Sequence, residues 1–298
     1  MPEADLIRER LDCQAVGAGR LPLDPGDTIQ MLGERQNGNP KFRHMDCELT
    51  IVIVTKGRPE LRHAIESVLN QDYAGPLFLL ILADELAGLP VDAGVHANTV
   101  IETYTVRSGR LRDCLDPYRR IARLRNIACR LVRTRFVCFL DDDNLWERDH
   151  VSTLMRLIRR TQLLAVHSWR RLIDQTGNPV TPDRYLWLPP GAESDRLFDL
   201  YCRHGVMDSG GPVVRDRTSL VVGDTDYGMV DMGEWLFDSS LFSMIQFDES
   251  GAGGPDELHG GEDDKLLRDL RSLSIGAACS DSPSLLYRLG GFSNAKWR

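Results

Sequence analysis

Three adjacent carboxylates, Asp141, Asp142 and Asp143, follow the apolar run 136–140. Like charges side by side repel, and burying them without compensation is costly. A divalent cation is the common compensation, because hard cations take oxygen ligands. The alternative is a solvated acidic turn that caps the helix after it. A second acidic run, Glu262, Asp263 and Asp264, follows a segment with glycines at 251, 253, 254, 260 and 261. On the residues alone, these acids suit the N-terminus of a helix, where they favour the helix dipole.

The elements that must position these groups show in the hydrophobic pattern. Residues 49–54 form a β-branched run that suits a buried parallel strand. The segment 55–59 breaks it, and Pro59 suits the first turn of a helix. Leu61, Ile65, Val68 and Leu69 then recur at helical spacing. Strands are expected over 77–83, 99–106 and 136–140, and helices over 119–132 and 151–158. This alternation predicts an α/β fold with a doubly wound, mostly parallel sheet. Ligands of such sheets bind beyond the carboxyl ends of the strands, where Thr55, Asp84 and Asp141 stand. The second half is less regular. Short strands are expected over 163–166 and 244–247, a turn into a short strand over 207–215, a Pro-rich loop over 177–191 and a helix over 262–273. Residues 1–47 read as an extension on a domain spanning 48–298.

The 298 residues carry a formal net charge of −8, which argues against a general nucleic-acid binder. A local exception is the basic stretch of Arg119, Arg120, Arg123, Arg125, Arg130, Arg133 and Arg135, most of which reads as a solvated helix face. Seven scattered cysteines without a C-x-x-C pair suggest reduced thiols. Cys129 and Cys138 stand among apolar residues and read as core side chains. The N-terminal residues show no signal-peptide pattern, and no run is long enough to span a membrane. A cytoplasmic protein is expected.

Several segments resemble one family in order and spacing. The run Ile51-Val52-Ile53-Val54-Thr55-Lys56-Gly57-Arg58-Pro59, followed by Ser67-Val68-Leu69-Asn70-Gln71, is similar to the opening strand and helix of family-two glycosyltransferases with the GT-A fold. Arg125-Asn126-Ile127-Ala128 resembles the segment leading to their metal strand, and Asp141-Asp142-Asp143 resembles the D-x-D motif. Phe247-Asp248-Glu249 and Gly261-Glu262-Asp263 resemble two segments of their acceptor half. The resemblance implies a Rossmann-like GT-A domain. Its nucleotide-sugar-binding half would span 48–146, and a smaller mixed acceptor half with the tail would span 147–298.

The resemblance also implies roles. Asp143 would be the main ligand of Mn2+ or Mg2+, and Asp141 would contact the ribose or help with the metal. Asp142 can do either. Thr55, Lys56, Arg58 and Asp84 would line the nucleotide pocket, with Asp84 on the base edge. Arg125 would lie near the nucleotide or brace the acidic turn. Asp263 would be the general base of an inverting transfer, with Asp264 as an alternate, and Glu262 would bind acceptor hydroxyls. The donor would be a nucleotide sugar, with UDP as the family's usual carrier. The acceptor would be a soluble small molecule, glycan or peptide. Trp235, Trp187 and Tyr185 can stack on a sugar or pack in the core. His259 can touch acceptor or metal, and Arg288 or Lys296 can reach the diphosphate.

The sequence departs from the family pattern at Gly57, where Asn is usual, at Ala83-Asp84-Glu85-Leu86, and at Gly290, where a histidine often stands. Other readings are an enzyme acting on a membrane-bound polysaccharide or lipid acceptor, a non-catalytic nucleotide-sugar-binding domain, and a sugar nucleotidyltransferase. The last lacks its Gly-rich basic loop after the first strand.

Overall fold

The computed structural model describes residues 27–31, 36–37, 47–84, 98–108, 116–250, 261–291 and 293–294. Most of the N-terminal extension, Glu85, His259 and Lys296 lie outside the described residues. In chain order the elements are strands β1 (Asp27–Met31), β2 (Gln36–Asn37) and β3 (Leu49–Thr55), helix α1 (Leu61–Leu69), strands β4 (Leu77–Asp84) and β5 (Thr99–Ser108), and helix α2 (Pro117–Leu131). Strands β6 (Phe136–Asp141) and β7 (Leu145–Trp146), helix α3 (His150–Thr161), strand β8 (Ala165–Ile173) and helix α4 (Ala192–Arg203) follow. Strands β9 (Val213–Val214), β10 (Val221–Val222), β11 (Thr225–Asp226) and β12 (Trp235–Asp238), helix α5 (Glu262–Ser272) and strand β13 (Ala277–Arg288) complete the order. The fold is mixed α/β with a central, mostly parallel sheet. The described residues form two compact units. One draws on Met1–Arg58, Gly75–Cys138 and Phe237–Ser274, the other on Pro59–Ala74, Phe139–Leu236 and Ile275–Arg298.

In the first unit, β3 and β4 run parallel, from Leu49 opposite Leu77 to Thr55 opposite Ala83. Strand β5 continues the parallel set beside β4, and β1 pairs antiparallel with β5. Every residue of β3 and β4 is buried, as continuous Leu/Ile/Val runs require when both faces are covered. Helix α2 starts at Pro117, two residues before the expected Arg119. Asp116 sets this start by accepting from the Tyr118 amide at 2.9 Å, with Pro117 in the first turn. Thr50 and Thr134 share a hydroxyl hydrogen bond of 2.6 Å, so neither is buried unsatisfied.

Residues 244–247 are not the strand that their sequence suggested. Asp238 accepts from the amide and hydroxyl of Ser240 and turns the chain into a 3-10 helix, Ser239–Ser243. The backbone of Phe247 then pairs with a side chain. Its amide donates to Asn126 Oδ1 at 2.9 Å, and its carbonyl accepts from Asn126 Nδ2 at 2.9 Å. A carboxamide here stands in for a neighbouring strand. The same Nδ2 donates to Glu249 Oε1 at 2.7 Å.

In the second unit, β8 and β13 pair in parallel, with register shifts between Cys279 and Pro283 and between Pro283 and Leu285. The shifts accommodate Pro283, which has no amide to donate, and Asp281, whose φ is 56°. These features break the alternation that marks a strand, and β13 was not expected from the sequence. Helix α4 was also not anticipated. Its buried residues, Leu197, Phe198, Leu200 and Tyr201, follow directly on the Pro-rich segment. Strand β8 begins at Ala165 and runs to Ile173, well beyond the expected 163–166.

The core of this unit holds a charge. Arg170 is 4% exposed and lies 3.0 Å from Asp216, 3.3 Å from Asp231 and 3.9 Å from Glu234. Its guanidinium packs 4.5 Å from the Trp187 ring centre and 5.0 Å from that of Tyr287. One cation does not balance three carboxylates. Burial, and next the Asp216 charge, push the Glu234 carboxyl well above its ordinary range, so Glu234 is held as the neutral acid. Two buried imidazoles also stay neutral through burial. His150, stacked 4.4 Å from Trp146, is lowered to about 3, and His167, 5.0 Å from Trp235, to about 4.

Two predictions follow from these contacts. Asn126→Ala strands two buried backbone groups, so it should lower stability by about 2 kcal/mol, read as a shift in the urea midpoint. Above the ordinary glutamate value of 4.5, the folded chain keeps a proton on Glu234 that the unfolded chain releases. Stability attributable to this group is therefore full below that pH and falls as pH rises. Glu234→Gln, neutral at every pH, should match the wild-type Tm near pH 4 and exceed it at pH 8.

Candidate active site

In the first unit, the ends of β3 and β4 bring Thr55 and Asp84 to one sheet edge, Thr55 opposite the residue before Asp84. Thr55 Oγ1 accepts from the Gly57 amide at 2.8 Å, and Gly57 has a φ of +77°. Among side-chain-bearing residues, Asn tolerates this backbone region well. That explains why Gly can stand where the resemblance expects Asn. Lys56 is exposed and Arg58 half-buried. Asp84, expected on a base edge, has a side chain 1% exposed and is held by Arg120. Arg120 Nε donates to Oδ2 and Nη2 to Oδ1, each at 2.8 Å, a forked pair.

The basic stretch is therefore only partly a solvated face. Arg119, Arg133 and Arg135 are exposed, but Arg123 and Arg125 are buried. Helical spacing places these residues on α2 without revealing their partners. Arg123 pairs with Asp27 on β1 and donates to Glu249 at 3.1 Å. Arg125, with a side chain 2% exposed, donates from Nη1 to Asp263 Oδ1 at 3.0 Å. Its guanidinium also lies 5.8 Å from the Phe247 ring centre. The Arg125-Asn126 dipeptide thus holds both acceptor-half segments singled out in the sequence.

Two of the acids that open α5, Asp263 and Asp264, divide their work. Asp264 accepts from the Gly261 amide at 3.1 Å and closes the start of its own helix. Asp263 is turned to Arg125, and its side chain remains 29% exposed. Glu262 is the first residue of α5. The dipole reading accounts for Asp264 but not for the ion pair of Asp263.

The acidic turn belongs to the second unit. Asp141 and Asp143 are half-buried, and Asp142 is 7% exposed. The Asn144 amide donates to the Asp141 carbonyl at 3.2 Å and closes a tight turn. The run does not cap the next helix, because the N-cap of α3 is Asp149. Arg288, suggested as a diphosphate contact, instead donates to backbone carbonyls, that of Asp143 at 2.9 Å among them.

The order of motifs and the strand ends match one family. The family model of glycosyl transferase family 2 covers residues 50–219, more than half of the chain. The chain belongs to glycosyl transferase family 2. Membership carries the GT-A fold. The match takes in β3, the acidic turn and α4 and stops short of α5. No curated protein matches the sequence. Among solved structures, Staphylococcus aureus TarS 1–349 in complex with UDP-GlcNAc shares the fold at a TM-score of 0.51 and 11% identity, covering 84% of this chain and 61% of that one. The same TarS segment alone gives a TM-score of 0.50 and 11% identity, covering 81% and 60%. The chain thus spans less than two thirds of those TarS chains.

Among the described residues, no three His, Cys, Asp or Glu side chains group to hold a metal ion. The donor set fits a cation that takes one or two carboxylates and completes its shell with phosphate and water, as Mg2+ does. Gly291 leaves room beside Asp143. A Cβ at 291 would stand 3.0 Å from Asp143 Oδ2. Family-two enzymes commonly use such a metal. No helix among the described residues is long and apolar enough to cross a membrane.

Two aromatic candidates serve the core. Trp235 is 1% exposed, and Tyr185 is 2% exposed and stacks on Tyr201 at 5.4 Å. Neither presents a face to a sugar. Trp187 is half-buried, and its indole donates to the Tyr287 hydroxyl at 3.2 Å. Cys138 is buried and its thiol is pushed up by burial, whereas Cys129 is half-buried, less internal than its apolar neighbours suggested.

Removing Arg120 leaves Asp84 a buried, unpaired carboxylate. Arg120→Ala should cost about 3 kcal/mol, measured by urea unfolding at neutral pH. Asp84→Asn with Arg120→Ala together should cost less than the single arginine change, because no buried charge is then left alone.

Proposed function

We propose that this glycosyltransferase moves a sugar, with inversion and with Mn2+ or Mg2+, from a nucleoside-diphosphate sugar to a hydroxyl of a soluble small molecule, glycan or peptide. The observation that carries the reading is the separation of roles at the start of α5. Asp264 closes the helix, while Asp263 stays partly exposed with one oxygen held by Arg125. A carboxylate kept in one orientation and still open to solvent suits a general base. In the reaction, Asp263 takes the proton of the acceptor hydroxyl. The acceptor oxygen forms the new bond to the anomeric carbon as the bond to the diphosphate oxygen breaks on the opposite face. The nucleoside diphosphate leaves with that electron pair.

Asp143, with Asp141 assisting, would hold the cation, which supplies positive charge to the departing diphosphate. Asp142 and Glu262 keep secondary places in this reading, on the ribose or metal side and on acceptor hydroxyls respectively. Thr55, Lys56 and Arg58 would line the nucleotide pocket. Asp84 would meet the base through its pair with Arg120 rather than alone. UDP is the first nucleotide to test, being the family's usual carrier and the nucleotide moiety present in the TarS complex. A cytoplasmic setting accords with the reading of the sequence.

Calorimetric titration with UDP, GDP and dTDP, with and without Mn2+, tests the donor half of the proposal. One nucleotide should bind with metal dependence, and Asp143→Ala should remove that dependence. Asp263→Asn should bind the nucleotide as wild type does while sugar transfer falls about 10²-fold or more. Unchanged transfer by Asp263→Asn would remove Asp263 as the base. Absence of any nucleotide binding by the wild type would sink the donor site itself.

A further inference from the structure

We infer that Arg288, Gly290, Gly291 and Asn294 are positioning residues that fasten the segment after β13 to the acidic turn and so aim the Asp143 carboxylate. The inference rests on the reading of Asp143 as a metal ligand and adds what holds that ligand in place.

Arg288 is 5% exposed and directs its donors to main-chain oxygens. Nε donates to the Asp143 carbonyl at 2.9 Å, and Nη1 donates to the carbonyls of Asp174 at 3.0 Å and Gln175 at 2.9 Å. The Arg288 amide donates to Asn144 Oδ1 at 2.9 Å. One residue thereby ties the end of β13 to the turn 141–144 and to the turn after β8. A buried guanidinium with these partners is committed to the scaffold.

The two glycines that follow are needed for the close approach. Gly290 has a φ of +90°, and a Cβ there would lie 2.7 Å from Gln175 Nε2, which itself donates to the Leu289 carbonyl. The Gly290 amide donates to Asn294 Oδ1. Asn294, 2% exposed, donates from Nδ2 to the Tyr287 hydroxyl at 3.1 Å. This bracing sets Gly291 against Asp143, where an added Cβ would stand 3.0 Å from Oδ2. At that separation the carboxylate would have to give by a few tenths of an ångström. Gly291 therefore leaves the Asp143 carboxylate the space that a side chain at this position would take. Where the family resemblance expects a histidine at 290, this segment contributes placement of Asp143 instead of a ligand.

The test counts free Mn2+ by electron paramagnetic resonance in the full chain with saturating UDP. Gly291→Ala should raise the Mn2+ Kd about tenfold, the usual effect of a residue that orients a metal ligand. Its Tm and its metal-free UDP affinity should stay at wild type. Arg288→Lys keeps the charge but loses the fork across three carbonyls, and should weaken Mn2+ in the same range. Wild-type Mn2+ affinity in both variants would overturn the inference while leaving Asp143 a ligand. Failure of the wild type to bind Mn2+ with UDP would instead overturn the metal reading of Asp143, and this inference with it.

Discussion

A guanidinium taken out of water has to meet an anion or a set of carbonyls, and that constraint organises the first unit. Helix α2 carries Arg120, Arg123 and Arg125 inward or to the edge of the core, and each is matched to a carboxylate from a different element. Arg120 fixes the end of β4 through Asp84, Arg123 fixes β1 and the segment at Glu249, and Arg125 fixes the start of α5. An isolated surface pair contributes little to stability, but breaking a buried one leaves a charge without a partner. The helix thus acts as a frame whose charges hold a strand end, an edge strand and the start of a second helix. Asn126 adds a neutral counterpart by satisfying both backbone groups of Phe247.

The same demand takes a different form around Arg170. Here three carboxylates share one cation beneath two aromatic rings, and the excess negative charge is removed by keeping Glu234 protonated. The first unit balances charge by pairing; this cluster balances it by holding a proton. Both follow from the cost of an unpaired buried charge.

None of these ion pairs was legible in the sequence, but part of the fold was. Strands β3 and β4 were legible because an unbroken apolar run bounded by breakers has few other interpretations. The acidic turn and the Gly-Glu-Asp segment were legible as motifs, because their residue types are unusual next to apolar runs. Strand β13 was not, since Pro283 and Asp281 remove the alternation that marks a strand, and the register shifts that absorb them exist only in three dimensions. The burial of Arg123 and Arg125 was equally hidden. A helical period places arginines on a face but does not tell which face is covered, and the covering carboxylates lie far away in sequence. Gly291 shows a further limit. Its value lies in the atom it lacks, and nothing in the sequence says what that atom would strike.

The buried imidazoles have a consequence for how the molecule can be observed. Trp146 and Trp235 each lie against a histidine that burial keeps neutral down to about pH 4. A protonated imidazole quenches a neighbouring indole, and a neutral one does so far less. The fluorescence of these two tryptophans is therefore insulated from histidine titration across the neutral range. A change in their emission during a titration reports rearrangement around the rings rather than a proton arriving beside them.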